Sequence, residues 1–139
     1  MGYPLYEKVD VAYEYDFAVD GGAVSSIELR KVGANGLLSG LSIVKAHVIV
    51  ETAIVSASGT ATIGDGSDDD GYFLDLVATA AGAYSSMSAL GGALLRSSAT
   101  SIEGEVEQKL SADVTPELVI STGAVTAGKF KIVFECVRA

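Results

Sequence analysis

The side chains able to do chemistry are few. His47 is the single histidine and Cys136 the single cysteine. A general base needs a second group to orient its ring and a substrate proton within reach. His47 sits between Ala46 and Val48, and the sequence around it supplies no partner; Glu51 lies further along the same face. Cys136 lies in an apolar alternation near the chain's last residues and reads as a small buried hydrophobe. One histidine and one cysteine cannot close a tetrahedral zinc site of the usual ligands. The remaining oxygen-rich cluster is Asp65, Asp68, Asp69 and Asp70, set among Gly64, Gly66 and Gly71. Calcium could use such oxygens, but the EF-hand pattern fails, because its first ligand position falls on Gly66 and no closing glutamate follows. A solvated acidic loop is the expectation. No glycine-rich loop precedes Lys-Ser or Lys-Thr, and no Gly-x-Ser-x-Gly elbow occurs. No catalytic residues, metal ligands or cofactor are expected, and the chain reads as a non-enzyme.

The acidic loop ends the stretch around which the chain is organised. Val44, Ala46, Val48, Val50, Thr52 and Ile54 alternate with Lys45, His47, Glu51 and Ala53. Period two with β-branched residues on one side predicts a strand with one face in a core. Gly59 breaks the run and Thr60 to Ile63 resumes it. After the loop, Tyr72, Phe73 and Leu74 should re-enter the core.

Composition bounds the rest. The chain has 139 residues and a formal net charge of −9. That size predicts one domain with a core large enough to need no staples. The few cations are scattered, so a nucleic-acid face is not expected. No signal peptide is expected from the opening residues, and no apolar run reaches the roughly 18 residues that a spanning helix needs. No membrane partner is therefore expected.

Residues 1–8 hold Tyr3, Pro4, Leu5 and Tyr6 before any periodicity and read as an amino-terminal arm; residues 9–139 read as the single domain. Val9, Val11, Tyr13, Tyr15 and Phe17 form an amphipathic strand, followed by Asp20-Gly21-Gly22 and a second alternation from Ala23 to Leu29. The pair reads as a hairpin. Val77 to Ser101 is nearly all Ala, Ser, Gly, Thr and Leu, and reads as loop with a possible helical turn, then a short strand at Ala93 to Arg96. Near the end, Glu117 to Ser121 and Lys129 to Val137 read as a second hairpin, with Phe130, Ile132, Phe134 and Cys136 on one face. Its last strand should lie well inside a sheet. Roughly eight strands with no confident helix predict an all-β fold, an antiparallel jelly-roll-like β-sandwich.

Three stretches carry a resemblance. They are Tyr15 to Val24, Thr60 to Tyr72, and Thr126 to Glu135. Together they cover about a quarter of the chain. They are similar to the strand-and-turn signatures of tailed-bacteriophage head decoration, or cement, proteins. That resemblance implies a largely β fold, a location on the outer capsid surface of the virion, the major capsid protein as partner, and a homotrimer. Other expectations are a tail or fibre-base virion component, or a glycan-binding β-sandwich; the absence of Trp counts against the latter. Candidate interface residues are Tyr3, Pro4, Leu5 and Tyr6 in the arm. To these are added Tyr84, Met87 and Leu90 in a run from Val77 to Leu95 that holds no Lys, Arg, Asp or Glu. Such a stretch has to be covered, by its own domain or by a neighbour.

Overall fold

The computed structural model of the chain describes residues 7–86, 88, 90–94 and 108–138. Nine strands and one helical turn are present among them. They are β1 (Glu7–Asp16), α1 (Phe17–Asp20), β2 (Ser25–Glu28), β3 (Arg30–Val32), β4 (Leu41–Ser56), β5 (Thr60–Gly64), β6 (Gly82–Ser85), β7 (Gln108–Lys109), β8 (Glu117–Ser121) and β9 (Val125–Arg138). The larger sheet runs β3-β1-β9-β4-β6, with β7 paired to the start of β4; the smaller runs β2-β8-β5. Every strand pair is antiparallel. The all-β sandwich expected from the alternation is the fold observed.

β9 occupies the middle of the larger sheet, as its apolar face requires. It pairs with β1 from Glu7↔Arg138 to Asp16↔Lys129, and with β4 along almost its whole length. Phe130, Ile132, Phe134 and Cys136 all point inward and are buried. Inward residues of β1 meet them: Tyr13 and Phe134 are edge-on with centroids 6.2 Å apart, and Tyr15 and Phe130 are tilted at 5.5 Å. From the other sheet, Ile63, Leu118 and Ile120 close the core, and Tyr72 and Phe73 re-enter it fully buried. Burial pushes the Tyr15 hydroxyl up to about 12, with the charges of Asp20 and Asp16 adding to the effect.

The long strand β4 changes phase once. Leu41 and Ile43 face inward, and then Ala46, Val48 and Val50 do. The register shifts between Ile43 and Lys45, so Val44 is an extra residue opposite the Cys136–Glu135 step. A bulge of this kind moves the inward face from odd to even positions without breaking the strand. The expected alternation from Val44 is therefore correct from Ala46 to Val50, while Val44 itself is only half-buried.

Two expected hairpins are not formed. β2 does not return along β1; it pairs with β8 in the smaller sheet, and β1 takes β3 as its neighbour. The reason is local. Asp16 caps a helical turn by accepting from the Ala18 N–H, and Gly21 at φ 78° lets the chain leave sideways. The Gly22 carbonyl then accepts from Val125 N at 2.7 Å. A Cβ on Gly22 would lie 2.1 Å from the Val125 carbonyl oxygen, so only glycine fits this approach. β8 and β9 likewise lie in different sheets, because the chain crosses at Thr122 (φ 73°) and Gly123 instead of reversing.

The uncharged stretch is also reassigned. It holds no helical turn among its described residues. Gly82–Ser85 is instead a strand beside His47 to Val50 of β4; Ala93 and Leu94 form a turn, and Leu95 and Arg96 of the expected short strand lie outside the described residues. Ser86 is fully buried, and its hydroxyl Oγ accepts from Ala46 N at 3.1 Å. Gly91 and Gly92 are buried against the Ser86 and Asp70 carbonyls.

Candidate functional site

The outer face of the larger sheet places three ionisable groups together. Lys45 and His47 leave β4 on the same side, and β9 brings Glu135 between them. The His47 Nε2–H donates to Glu135 Oε2 at 2.8 Å, and Lys45 Nζ is 3.9 Å from the same oxygen. The partner that the sequence around His47 lacks is thus a residue 88 positions away. The cluster is half-exposed. Beside it, the Val44 bulge opens a shallow recess of about 180 Å³ lined by Lys8, Asp10, Val44, Glu135, Cys136 and Val137. Cys136 turns its side chain into the core, where burial, with the charge of Asp10, pushes its thiol up to about 12. The thiol stays protonated and is a poor nucleophile. The outer face is here an ion-paired sheet surface, and Ser85 of β6 stands directly across from His47 in the β4–β6 pair.

Asp65 shapes the acidic loop, and Gln108 Nε2 reaches its second oxygen at 3.5 Å. Asp65 Oδ1 accepts from Ser67 N and Asp68 N, both at 2.9 Å. The Thr62 hydroxyl donates to the Asp69 carbonyl, and Gly64 packs so close that a Cβ would lie 1.9 Å from the Asp68 carbonyl oxygen. The Tyr72 hydroxyl donates to Gln108 Oε1 at 2.8 Å, tying the loop's exit to β7. Asp68 is held above the ordinary carboxylate value by desolvation and then by the hydrogen bond and charge of Asp70. Among the described residues no group of three or more His, Cys, Asp or Glu side chains could hold a metal ion.

A third cluster closes the α1 turn. Arg30 of β3 grips Asp20 with Nε at 2.9 Å and Nη2 at 3.1 Å, and reaches Glu14 with Nη1 at 2.8 Å. Asp20 also accepts from Asp16 N. Desolvation alone would raise the Asp20 carboxyl, but the Arg30 hydrogen bonds and the Asp16 N–H outweigh it and hold it below its usual value. The cluster is structural in form: three charges fixing a turn.

The interface residues expected from the sequence divide as follows. Tyr84 and Leu90 are half-buried and pack against the chain's own core, and the Tyr84 hydroxyl donates to the Ala80 carbonyl. Tyr3, Pro4, Leu5, Tyr6 and Met87 lie outside the described residues. Among the described residues the exposed large apolar side chains are elsewhere: Val19, Val24, Leu38, Ile49 and Val55. Val24 and Val55 fall on the outward side of the alternations at Ala23 to Leu29 and Val44 to Ile54.

No protein-family profile matches the chain, and no curated protein matches it by sequence. Solved structures do match by fold. A chain of the cyanophage Pam1 capsid asymmetric unit superposes with a TM-score of 0.61 at 10% identity, covering 100% of this chain and 91% of that one. A chain in the acid-stable capsid structure of Helicobacter pylori bacteriophage KHP30 superposes with a TM-score of 0.55 at 13% identity, covering 96% and 93%. The fold is thus shared, over nearly the whole of each chain, with components of two bacteriophage capsid structures.

Proposed function

We propose that this chain is a virion structural protein that decorates a bacteriophage head, binding the outer surface of the major capsid protein shell as a homotrimer. The observation that carries the reading is the end-to-end likeness of fold to chains in two phage capsid structures. A domain matched over its full length, rather than through one motif, fits a protein whose task is its shape. A decoration protein needs no reaction, and ion pairs such as Arg30–Asp20 and Lys129–Glu51 fit a structural surface. Its work is multivalent contact, in which several weak footholds add through effective concentration. A net charge of −9 suits a solvated exterior better than contact with packaged nucleic acid.

The test is to add the purified protein to phage heads lacking it and sediment the particles. Stoichiometric co-sedimentation, with the bound protein open to antibody from outside, is the expected result. Recovery with tails, or no binding to heads, would overturn it. Light scattering during gel filtration should give about three times the 14.2 kDa chain mass at high concentration.

A further inference from the structure

One end of the sandwich is poor in charge among the described residues. Three connections meet there: residues 21–24 between α1 and β2, residues 57–59 between β4 and β5, and residues 122–124 between β8 and β9. They are tied to one another. Gly22 bonds Val125, the Ser56 hydroxyl donates to the Ala124 carbonyl at 2.9 Å, and a Cβ on Gly59 would lie 2.1 Å from the Gly123 carbonyl oxygen. Residues 21–27, 52–64 and 118–128, which form these connections and the adjoining strand ends, include no Asp, Glu, Lys or Arg. Val19, Val24 and Val55 stand exposed on this end, at 66%, 54% and 50%.

Charge begins at the rim, and the rim carboxylates are already engaged. Asp20 is held by Arg30, Glu51 lies 3.4 Å from Lys129, and Asp75 Oδ1 accepts from Ala61 N and Val77 N. The opposite end is the acidic one. β5 leads away from the uncharged end into Asp65, Asp68, Asp69 and Asp70, while β1 starts and β9 finishes there at the Glu7–Arg138 pair. An apolar centre ringed by satisfied polar groups is the anatomy of a protein interface.

We infer that this uncharged end is where copies of the chain meet, with Val19, Val24 and Val55 packed about a symmetry axis. The charge distribution selects the occupant. A cationic partner would gain most from the acidic end. The neutral end gains nothing from opposite charge and is the face on which a partner as acidic as this chain meets least repulsion. A second copy has that charge by definition. The inference rests on the proposed decoration role only for its copy number; the contact surface follows from the charge and apolar pattern. Seating copies here leaves the acidic ends pointing apart.

The test compares the wild-type chain with Val19→Asp/Val24→Asp and with Val55→Asp, by light scattering across a concentration series at low and high salt. The wild-type mass should exceed the monomer's and persist at high salt. Each variant should associate at least roughly tenfold more weakly while keeping the wild-type circular dichroism. Val19 and Val24 lie outside the core, so the double variant carries the test if Val55→Asp fails to fold. A wild-type chain that is monomeric throughout overturns the inference, as does a folded variant with wild-type mass. Head binding is scored separately by co-sedimentation. A monomeric wild type that still binds heads, with binding lost in the variants, would give this end to the shell and sink self-association alone. Association without head binding would instead sink the decoration role.

Discussion

Tyr72 and Phe134 meet edge to face, ring centroids 5.0 Å apart at 71°, although one leaves the acidic loop and the other sits in the central strand β9. Both are fully buried. The contact joins the loop's exit to the middle of the larger sheet. Phe134→Ala should cost about 3–5 kcal/mol, combining lost transfer energy with the cavity left between Tyr13 and Tyr72. Tyr72→Phe should cost about 1 kcal/mol, since it removes only the donor to Gln108. Urea denaturation of both variants tests the order; a Tyr72→Phe loss as large as that of Phe134→Ala would contradict it.

Acid sensitivity should trace in part to Asp20. Its carboxyl is held below the ordinary value, so its stabilisation is full above the unfolded carboxylate range and is lost as pH falls through the folded value. The Arg30 side chain is 38% exposed, and screening keeps the contribution near the low end for such bonds. Asp20→Asn should cost about 1 kcal/mol at neutral pH and nothing below the folded value. A cost independent of pH would show that packing, not charge, is responsible.

Asp68 should behave with the opposite sign. Its folded value is raised, so the associated stability is fully present below the unfolded value and is lost as pH rises through the folded one. Asp68→Asn removes that loss. At neutral pH the variant should melt slightly higher than wild type, by well under ~1 kcal/mol after screening, with the gain vanishing in acid. A lower melting temperature at neutral pH would refute the repulsion with Asp70.

Cys136 should be silent to a thiol reagent in the native state. Burial keeps the thiol protonated and out of reach. Ellman's reagent should label it only at the rate of unfolding, and labelling should be complete in denaturant. Rapid labelling without denaturant would place the side chain on the wrong face of β9.

Thr122 is a β-branched residue at φ 73°, a conformation in which its side chain is strained. It is exposed and sits at the crossing between sheets. Thr122→Asn should stabilise by roughly 0.5–1 kcal/mol, because asparagine tolerates this region far better. Thermal denaturation showing no gain would mean that the turn relaxes without cost.

Alternation made the faces readable but not the partners. The inward sets Phe130 to Cys136 and Val11 to Tyr15 follow from period two alone. Which strand lies beside which does not, since the same glycine turn that permits a hairpin also permits a crossing. At Gly22 the deciding contact is with Val125, a residue distant in sequence. His47 and Glu135 were each legible as outward residues; their meeting required β4 and β9 to be neighbours. The stretch after Val77 was opaque for another reason. Val77, Tyr84, Leu90 and Leu94 pack on the core without a regular period, and the close backbone approaches at Gly91 and Gly92 leave no mark on hydropathy.

The placement of β9 bears on biosynthesis. β1 and β4 flank it and do not pair with each other, so their apolar faces and open edges leave the ribosome well before the strand that joins them. The larger sheet cannot close until residues 125–138 have been translated, and the ladder from Glu7↔Arg138 to Asp16↔Lys129 links opposite ends of the chain. Such a topology makes folding a late event dominated by distant contacts, with a nascent intermediate prone to self-adhesion. A premature stop upstream of β9 would therefore yield an aggregating fragment rather than a smaller working domain.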